Sequence, residues 1–282
     1  MTWLYLSLAS AVCFACLGIF SRVVSVDSKN PRALTLAFNL VCIVMAIILF
    51  LVTGSYKNFV LPNQSIAWVY LIIAAFAYGM FERLRFYATK NLDASIYSII
   101  GNISVVMAFV ISLFLYKETL TLTKFIGFVL ILTAFFLVIE VKKSKISIKG
   151  IWLGIVTSVL IGIGWSLDKK GANFFNPETY NILGWTLPFI IIYFPSINIQ
   201  EVKNEFKKFS WKIVLLAFFN FVGYYLTLKA YVLAEATKII PIIQLSTLIT
   251  VIAGVFLLKE RSNLYKKILA GIIAVAGVFL LR

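Results

Sequence analysis

Apolar stretches of about twenty residues, enough for an α-helix to cross roughly 30 Å of hydrocarbon, follow one another from Thr2 to Arg282 with only short polar gaps. Backbone in lipid must satisfy its own hydrogen bonds, so each stretch reads as a helix; the lengths do not suit the short alternating strands of a barrel. The predicted spans are 2–22, 33–53, 66–88, 94–116 and 122–140, then 150–170, 179–197, 211–232, 236–258 and 264–282. The expected fold class is therefore all-α integral membrane, with ten transmembrane helices and the lipid bilayer as surroundings.

With 62% hydrophobic and 13% charged residues, the 282-residue chain has too little polar surface to cover a soluble globule. The net charge of +15 sits in the gaps and at span ends, where Lys and Arg act as topology signals and headgroup contacts; a nucleic-acid partner is not expected. The first span lacks a basic leader and exceeds a signal-peptide core, so it reads as a retained helix. Cys13 and Cys16 form a CxxC inside that apolar span and read as packing residues, as does Cys42. No histidine is present, which excludes His-ligated metal sites and His relays, and the GxxxxGK[ST] phosphate loop is absent. No metal or cofactor is expected.

The segment FLYKE, Phe114 to Glu118, returns as FLLKE, Phe256 to Glu260, a shift of 142 positions. The same shift sets Ala88 on Ala230, Asp93 on Glu235, Ser95 on Thr237 and Ser104 on Ser246; two extra residues then bring Gly127 opposite Gly271. The chain thus reads as a duplicated five-helix unit: residues 1–141, a basic linker 142–149, and residues 150–282. Five crossings are odd, so the copies run in opposite senses. Such inverted repeats are a common architecture of secondary transporters, with a substrate site near the midplane between the halves. The two glutamates that end FLYKE and FLLKE then fall near opposite membrane faces and read as interfacial anchors. A polar stretch between spans, INIQEVKNEFKKFSW, carries apolar residues at helical spacing and is expected to lie along the interface.

NLDASIYSIIGNISVVMAFVISLFLYKE and LAEATKIIPIIQLSTLITVIAGVFLLKE, followed by the closing spans GFVLILTAFFLVIE and GIIAVAGVFLLR, resemble the paired EamA-type repeats of the ten-helix drug/metabolite transporter superfamily. The resemblance covers nearly the whole chain. It implies a transporter whose first, third, fourth, sixth, eighth and ninth helices line a central cavity. Relatives often carry a proline about thirteen residues before the glutamate, where this chain has Val105 and Thr247.

Intramembrane polar groups face bundle interiors or wet cavities. Tyr78, Glu82 and Arg85 share one face of the third span, and the repeat sets them opposite Asn220, Tyr224 and Thr227. Asn102 matches Gln244; Ser95 and Ser98 accompany the former, Thr237 and Ser246 the latter. The sixth span offers Trp165 and Asp168. The candidate cavity set is Tyr78, Glu82, Arg85, Ser98, Asn102, Trp165, Asn220, Tyr224, Thr227 and Gln244, with Glu82 and Asp168 as candidates for coupling to protons. Each has a plainer alternative. Glu82 pairs with Arg85 and ties a helix end; Asp168, beside Lys169 and Lys170, sits at the interface; Asn102 and Gln244 are interhelical glue.

The chain therefore reads as a multi-pass secondary transporter in a prokaryotic cell membrane. Its expected substrate is a small organic molecule, an amino acid or amphipathic compound, and oligomeric state is left open. The alternative is a non-transporting scaffold, accessory subunit or lipid-handling protein. An integral membrane enzyme is disfavoured, since no convergent nucleophile, base and metal ligands are visible. Of the 26 basic residues, eight fall in gaps on the side of the termini and the remaining 18 on the side of the linker. Charge places the linker in the cytoplasm, whereas the resemblance implies cytoplasmic termini; reporter fusions at the C-terminus and the linker decide between them.

Overall fold

The computed structural model describes residues 2–59, 61–115, 121–140, 147–171, 174–234, 239, 242–259 and 264–280. In the first half, α1 is Thr2–Asp27, α2 Pro31–Val52, α3 Ser65–Asn91, α4 Ala94–Gly101, α5 Ile103–Leu115 and α6 Leu122–Glu140. The second half contains α7 (Ile148–Gly171), α8 (Pro177–Tyr193), α9 (Ile199–Phe209), α10 (Trp211–Leu233), α11 (Leu245–Phe256) and α12 (Leu264–Leu280). No strand occurs among the described residues. There, α1, α2, α3, α7 and α10 are each long and apolar enough to cross a membrane. The protein is an all-α integral membrane protein of ten spans in two inverted five-helix repeats, with α4 and α5 together forming the fourth span.

Matching caps start the second span of each half. Asn30 accepts from the amides of Arg32 and Ala33, both at 3.1 Å, with Pro31 at the first helical position. Asn176 accepts from the amide of Thr179 at 2.7 Å, ahead of Pro177. An asparagine side chain satisfies amides that a helix start leaves unpaired, and proline there loses no helical bond.

The fourth span is not the single helix expected. It breaks at Asn102, whose Nδ2 bonds the carbonyls of Ser98 and Ile99 at 3.2 and 3.3 Å; a short side-chain amide there competes with the helical ladder. The ninth span breaks at the equivalent residue, Gln244, and the carbonyls of Asn102 and Gln244 accept from Val105 and Thr247 respectively, three residues on. Asn102 Nδ2 also meets Thr247 Oγ1 at 3.2 Å, so the two breaks touch. The fourth span breaks without a proline at any of residues 94–115.

The halves interlock. The third span, α3, packs along the sixth, α7, and the first, α1, along the eighth, α10; α6 pairs with α12. Small residues permit the closest approaches. At Gly162 on α7, a Cβ would stand 2.5 Å from the Ser104 carbonyl oxygen and 2.8 Å from the Met107 Cβ on α5.

The polar stretch between the seventh and eighth spans forms α9, with Val202, Glu205 and Phe209 on its buried face. Glu205 accepts from Ser28 Oγ at 2.9 Å and from the amides of Lys29 and Asn30 at 2.9 and 3.0 Å, fastening α9 to the turn between α1 and α2. Glu205→Ala leaves these donors unpaired at a cost of about 1–3 kcal/mol. Hydrogen exchange is expected to speed up at the amides of Lys29, Asn30 and α9 while α3 keeps its protection.

Tyr116 to Glu118, Glu260, Thr237 and the linker lysines Lys142, Lys143 and Lys145 lie outside the described residues, so the anchoring and pairing expected of them are not addressed by the structure.

Candidate functional site

A cavity of about 170 Å³ lies between the halves, and one of about 140 Å³ shares its Arg85, Trp165 and Gln244 wall. α3 contributes Tyr78, Phe81, Glu82 and Arg85 because its four-and-three spacing puts them on one face; α10 contributes Asn220 and Tyr224 from the equivalent face. Gln244 borders both cavities from the break in the ninth span, and Ser98 borders the second from α4. The lining extends past the first, third, fourth, sixth, eighth and ninth spans: Asn39 of α2 and Trp185 and Pro188 of α8 also face the larger cavity.

The charges are held at the centre. Arg85 Nη2 pairs with Glu82 Oε2 at 2.9 Å, and Glu82 Oε1 accepts from Asn220 Nδ2 at 3.3 Å. Arg85 is 3% exposed and Glu82 5%; the ion pair that the plainer reading expected is formed and buried, and both residues also line the cavity. The guanidinium carbon lies 4.5 Å from the Phe38 ring centroid and 4.7 Å from that of Phe86. Ring faces stabilise a cation that water cannot reach. Arg85 Nε and Nη1 and both amide atoms of Asn39 have no hydrogen-bond partner.

Asp168 is buried within the protein in spite of its two lysine neighbours at the span end. It is 1% exposed, because α7 continues to Gly171 and α8 folds back over it. Its Oδ1 accepts from Tyr180 at 2.7 Å, while Oδ2 accepts from Tyr224 at 3.1 Å and from Tyr78. A Cβ on Gly171 would stand 2.6 Å from the Tyr180 ring, so only glycine lets that ring approach. Two of the three phenols, Tyr78 and Tyr224, also wall the cavity, and Asp168 borders a small void beside it.

Two expected cavity residues serve elsewhere. Asn102 is fully buried and absent from both linings, since its amide is spent on α4 carbonyls and on Thr247. Thr227 borders only the small void and bonds Ser10 Oγ and the Gly223 carbonyl, both at 2.9 Å, joining α1 to α10. Asn39 is the polar residue the sequence reading missed. As the asparagine interrupting an otherwise apolar stretch of the second span, it carried a usable signal.

At the other end of the site, Lys267 of α12 meets Asp93 at 3.0 Å, with Arg22 of α1 at 3.9 Å from the same carboxylate. Arg22 also donates to the carbonyls of Thr89 and Lys90 at 2.8 and 2.6 Å. Next to this network, Ser21 and Ala94 border the second cavity.

An uncharacterized protein of Methanocaldococcus jannaschii is 33% identical over 131 residues, which are 46% of this chain and 91% of that relative. A solved crystal structure superposes with a TM-score of 0.61 over 99% of this chain and 95% of its own, at 11% identity, a likeness of fold alone. The model of the EamA-like transporter family matches residues 1–140 and again 148–282. The two matches take in nearly the entire chain, one for each five-helix half, and this protein belongs to the EamA-like transporter family.

Proposed function

We propose that this chain is a secondary transporter of a small organic metabolite that works by alternating access, in a prokaryotic cell membrane. The observation that carries the reading is the cavity between the inverted halves, walled by equivalent polar faces of α3 and α10. A scaffold or accessory protein has no use for a buried charge pair facing an open volume, since polar groups that act only as helix glue are spent on one another. One network flanks the cavity at each end: Asp168 with its tyrosines, and Asp93 with Lys267 and Arg22. In the proposed cycle one network opens while the other holds, so the cavity never meets both faces at once.

Purified protein in liposomes, loaded with a metabolite mixture and tested for counterflow, is expected to exchange at least one solute; no exchange across a broad panel refutes transport. Coupling to protons is assigned to Glu82. Its carboxylate faces Arg85 and Asn220 within the cavity, so a proton gained there weakens the ion pair that organises the wall. Glu82→Gln is expected to flatten the pH dependence of flux, and a variant with wild-type rate and pH profile removes Glu82 from the coupling step.

A further inference from the structure

Acids and cations part company around α9. Its two glutamates face the turn between α1 and α2, where Glu205 is spent on Ser28 and two backbone amides and Glu201 accepts from Asn30 Nδ2 at 2.6 Å. No charged side chain is among those donors. Lys203 and Lys207 stand on the exposed side of the helix, and among the described residues neither forms an ion pair. Their charge is left for something outside the protein.

Two arginines bring more positive charge to the end of α8. Arg32, in the first turn of α2, donates to the carbonyls of Ile192, Tyr193 and Pro195. Arg83 of α3 donates through Nη1 to those of Ile191 and Phe194, at 3.3 and 2.6 Å. The end of a helix carries only about half a negative charge, so two guanidiniums exceed it. Among the described residues neither arginine forms an ion pair, and Arg32 Nη1 and Arg83 Nε and Nη2 have no acceptor. Half-buried guanidinium N–H groups beside one helix end suit the oxygens of a phosphate.

Apolar surface decides between a free phosphate and a lipid. In the stretch the arginines hold, Ile190 and Phe194 are 63% and 71% exposed, and Ile199 opens α9 at 63%. Phe206, also exposed, follows Ile199 by seven residues and so lies on the same line of the helix. At about 3.6 residues per turn, that line runs between the buried face of α9 and the two lysines. This order, protein then apolar strip then cations, suits a helix resting where acyl chains meet headgroups. A soluble anion leaves the strip bare. The choline of a zwitterionic lipid sets a further cation beside four that no carboxylate offsets.

We infer that the rim where α2, α3, α8 and α9 meet binds an anionic phospholipid, its phosphate on Arg32 and Arg83 and its acyl chains along Ile190, Phe194 and Ile199. Lys203 and Lys207 draw the negative headgroup to the site. The assignment stands apart from the transport reading, since it needs only that the protein sits in a bilayer.

Native mass spectrometry of the purified full chain tests it, by titration with dioleoyl phosphatidylglycerol, with dioleoyl phosphatidylcholine, and with glycerol 3-phosphate as the soluble anion. Phosphatidylglycerol is expected to bind at least ~5-fold more tightly than phosphatidylcholine, the scale of one surface cation, and glycerol 3-phosphate is expected neither to bind nor to compete. Lys203→Gln with Lys207→Gln changes two exposed side chains that the fold does not use. It is expected to weaken phosphatidylglycerol by at least ~5-fold and to leave phosphatidylcholine unchanged. Arg32→Gln with Arg83→Gln keeps an amide donor for the α8 carbonyls and is expected to abolish the preference; if that variant does not fold, the lysine variant decides. Lys57→Gln, in the gap between the second and third spans and so on the opposite membrane face, is expected to keep the preference. Equal binding of the two lipids by the unaltered chain overturns the assignment, as does a preference that survives in the lysine variant or in a folded arginine variant. Equal loss in the Lys57 variant reduces the preference to net charge, and competition by glycerol 3-phosphate gives the cations to a soluble anion; either result also overturns it.

Discussion

Replacing Asp168 with alanine is expected to lower transport in liposomes by at least ~100-fold and to cut the melting temperature of the purified protein. Three phenols, from α3, α8 and α10, converge on this one carboxylate. Each buried hydroxyl left without its acceptor costs about 1–3 kcal/mol, and two of them, Tyr78 and Tyr224, form the cavity wall. Loss of the acceptor therefore frees the wall and unties three helices from α7 together. Asp168→Asn separates the two effects. It keeps one carbonyl acceptor and fills the same volume, so it is expected to recover most of the stability. Transport is expected to stay low, because its amide NH₂ confronts a phenol that must turn to accept. Full flux in a folded Asp168→Ala protein would show that the tyrosines hold their places unaided.

The second large effect is expected at Gly162. Here the obstacle is backbone, the Ser104 carbonyl oxygen 2.5 Å from where a Cβ would stand, with no flexible side chain able to yield. In a membrane, helices associate through close packing, since lipid tails are as apolar as the side chains they replace. Gly162→Leu must push α7 off α5, and the variant is expected to fail to accumulate as a monodisperse species in fluorescence-detected size exclusion. Even Gly162→Ala is expected to lose a few degrees of melting temperature. Gly101→Ala is the control, since a Cβ there meets nothing within 4 Å; equal losses at both positions would attribute the effect to glycine content and not to the crossing.

Much of the architecture was legible because it follows from length and symmetry. Helix length is set by the hydrocarbon thickness, and the repeated Lys-Glu signature set the second half on the first, bringing Tyr78, Glu82 and Arg85 opposite Asn220, Tyr224 and Thr227. Those faces do meet at the cavity, Thr227 excepted. The misses have particular causes. The 142-position shift holds for the third and fourth spans, but the Asn-Pro caps at Asn30 and Asn176 place the second spans 146 positions apart. At that spacing Asn39 falls opposite Trp185, a second equivalent pair that lines the cavity. The burial of Asp168 was not legible because sequence neighbours say little about packing at a span end. Its surroundings are set by Tyr180, which returns from the next helix over Gly171. The break at Asn102 was hidden because Val105 and Thr247 occupy the positions where relatives often carry proline. An asparagine amide bonding its own helix carbonyls supplies the interruption instead.

That interruption has a mechanical consequence. Asn102 and Thr247 meet where the two repeats face each other, and each half presents its own broken span to the other. Under the rocking cycle proposed above, this contact would serve as the fulcrum, the place where relative displacement is smallest. The eight residues of α4 then form a stiff arm, about 12 Å long at 1.5 Å per residue, ending beside Asp93. Displacement would grow along that arm, so a rotation of about 15° at the Asn102 joint would carry its far end, beside Asp93, through about 3 Å, the arc of a roughly 12 Å arm at about 1.5 Å per residue.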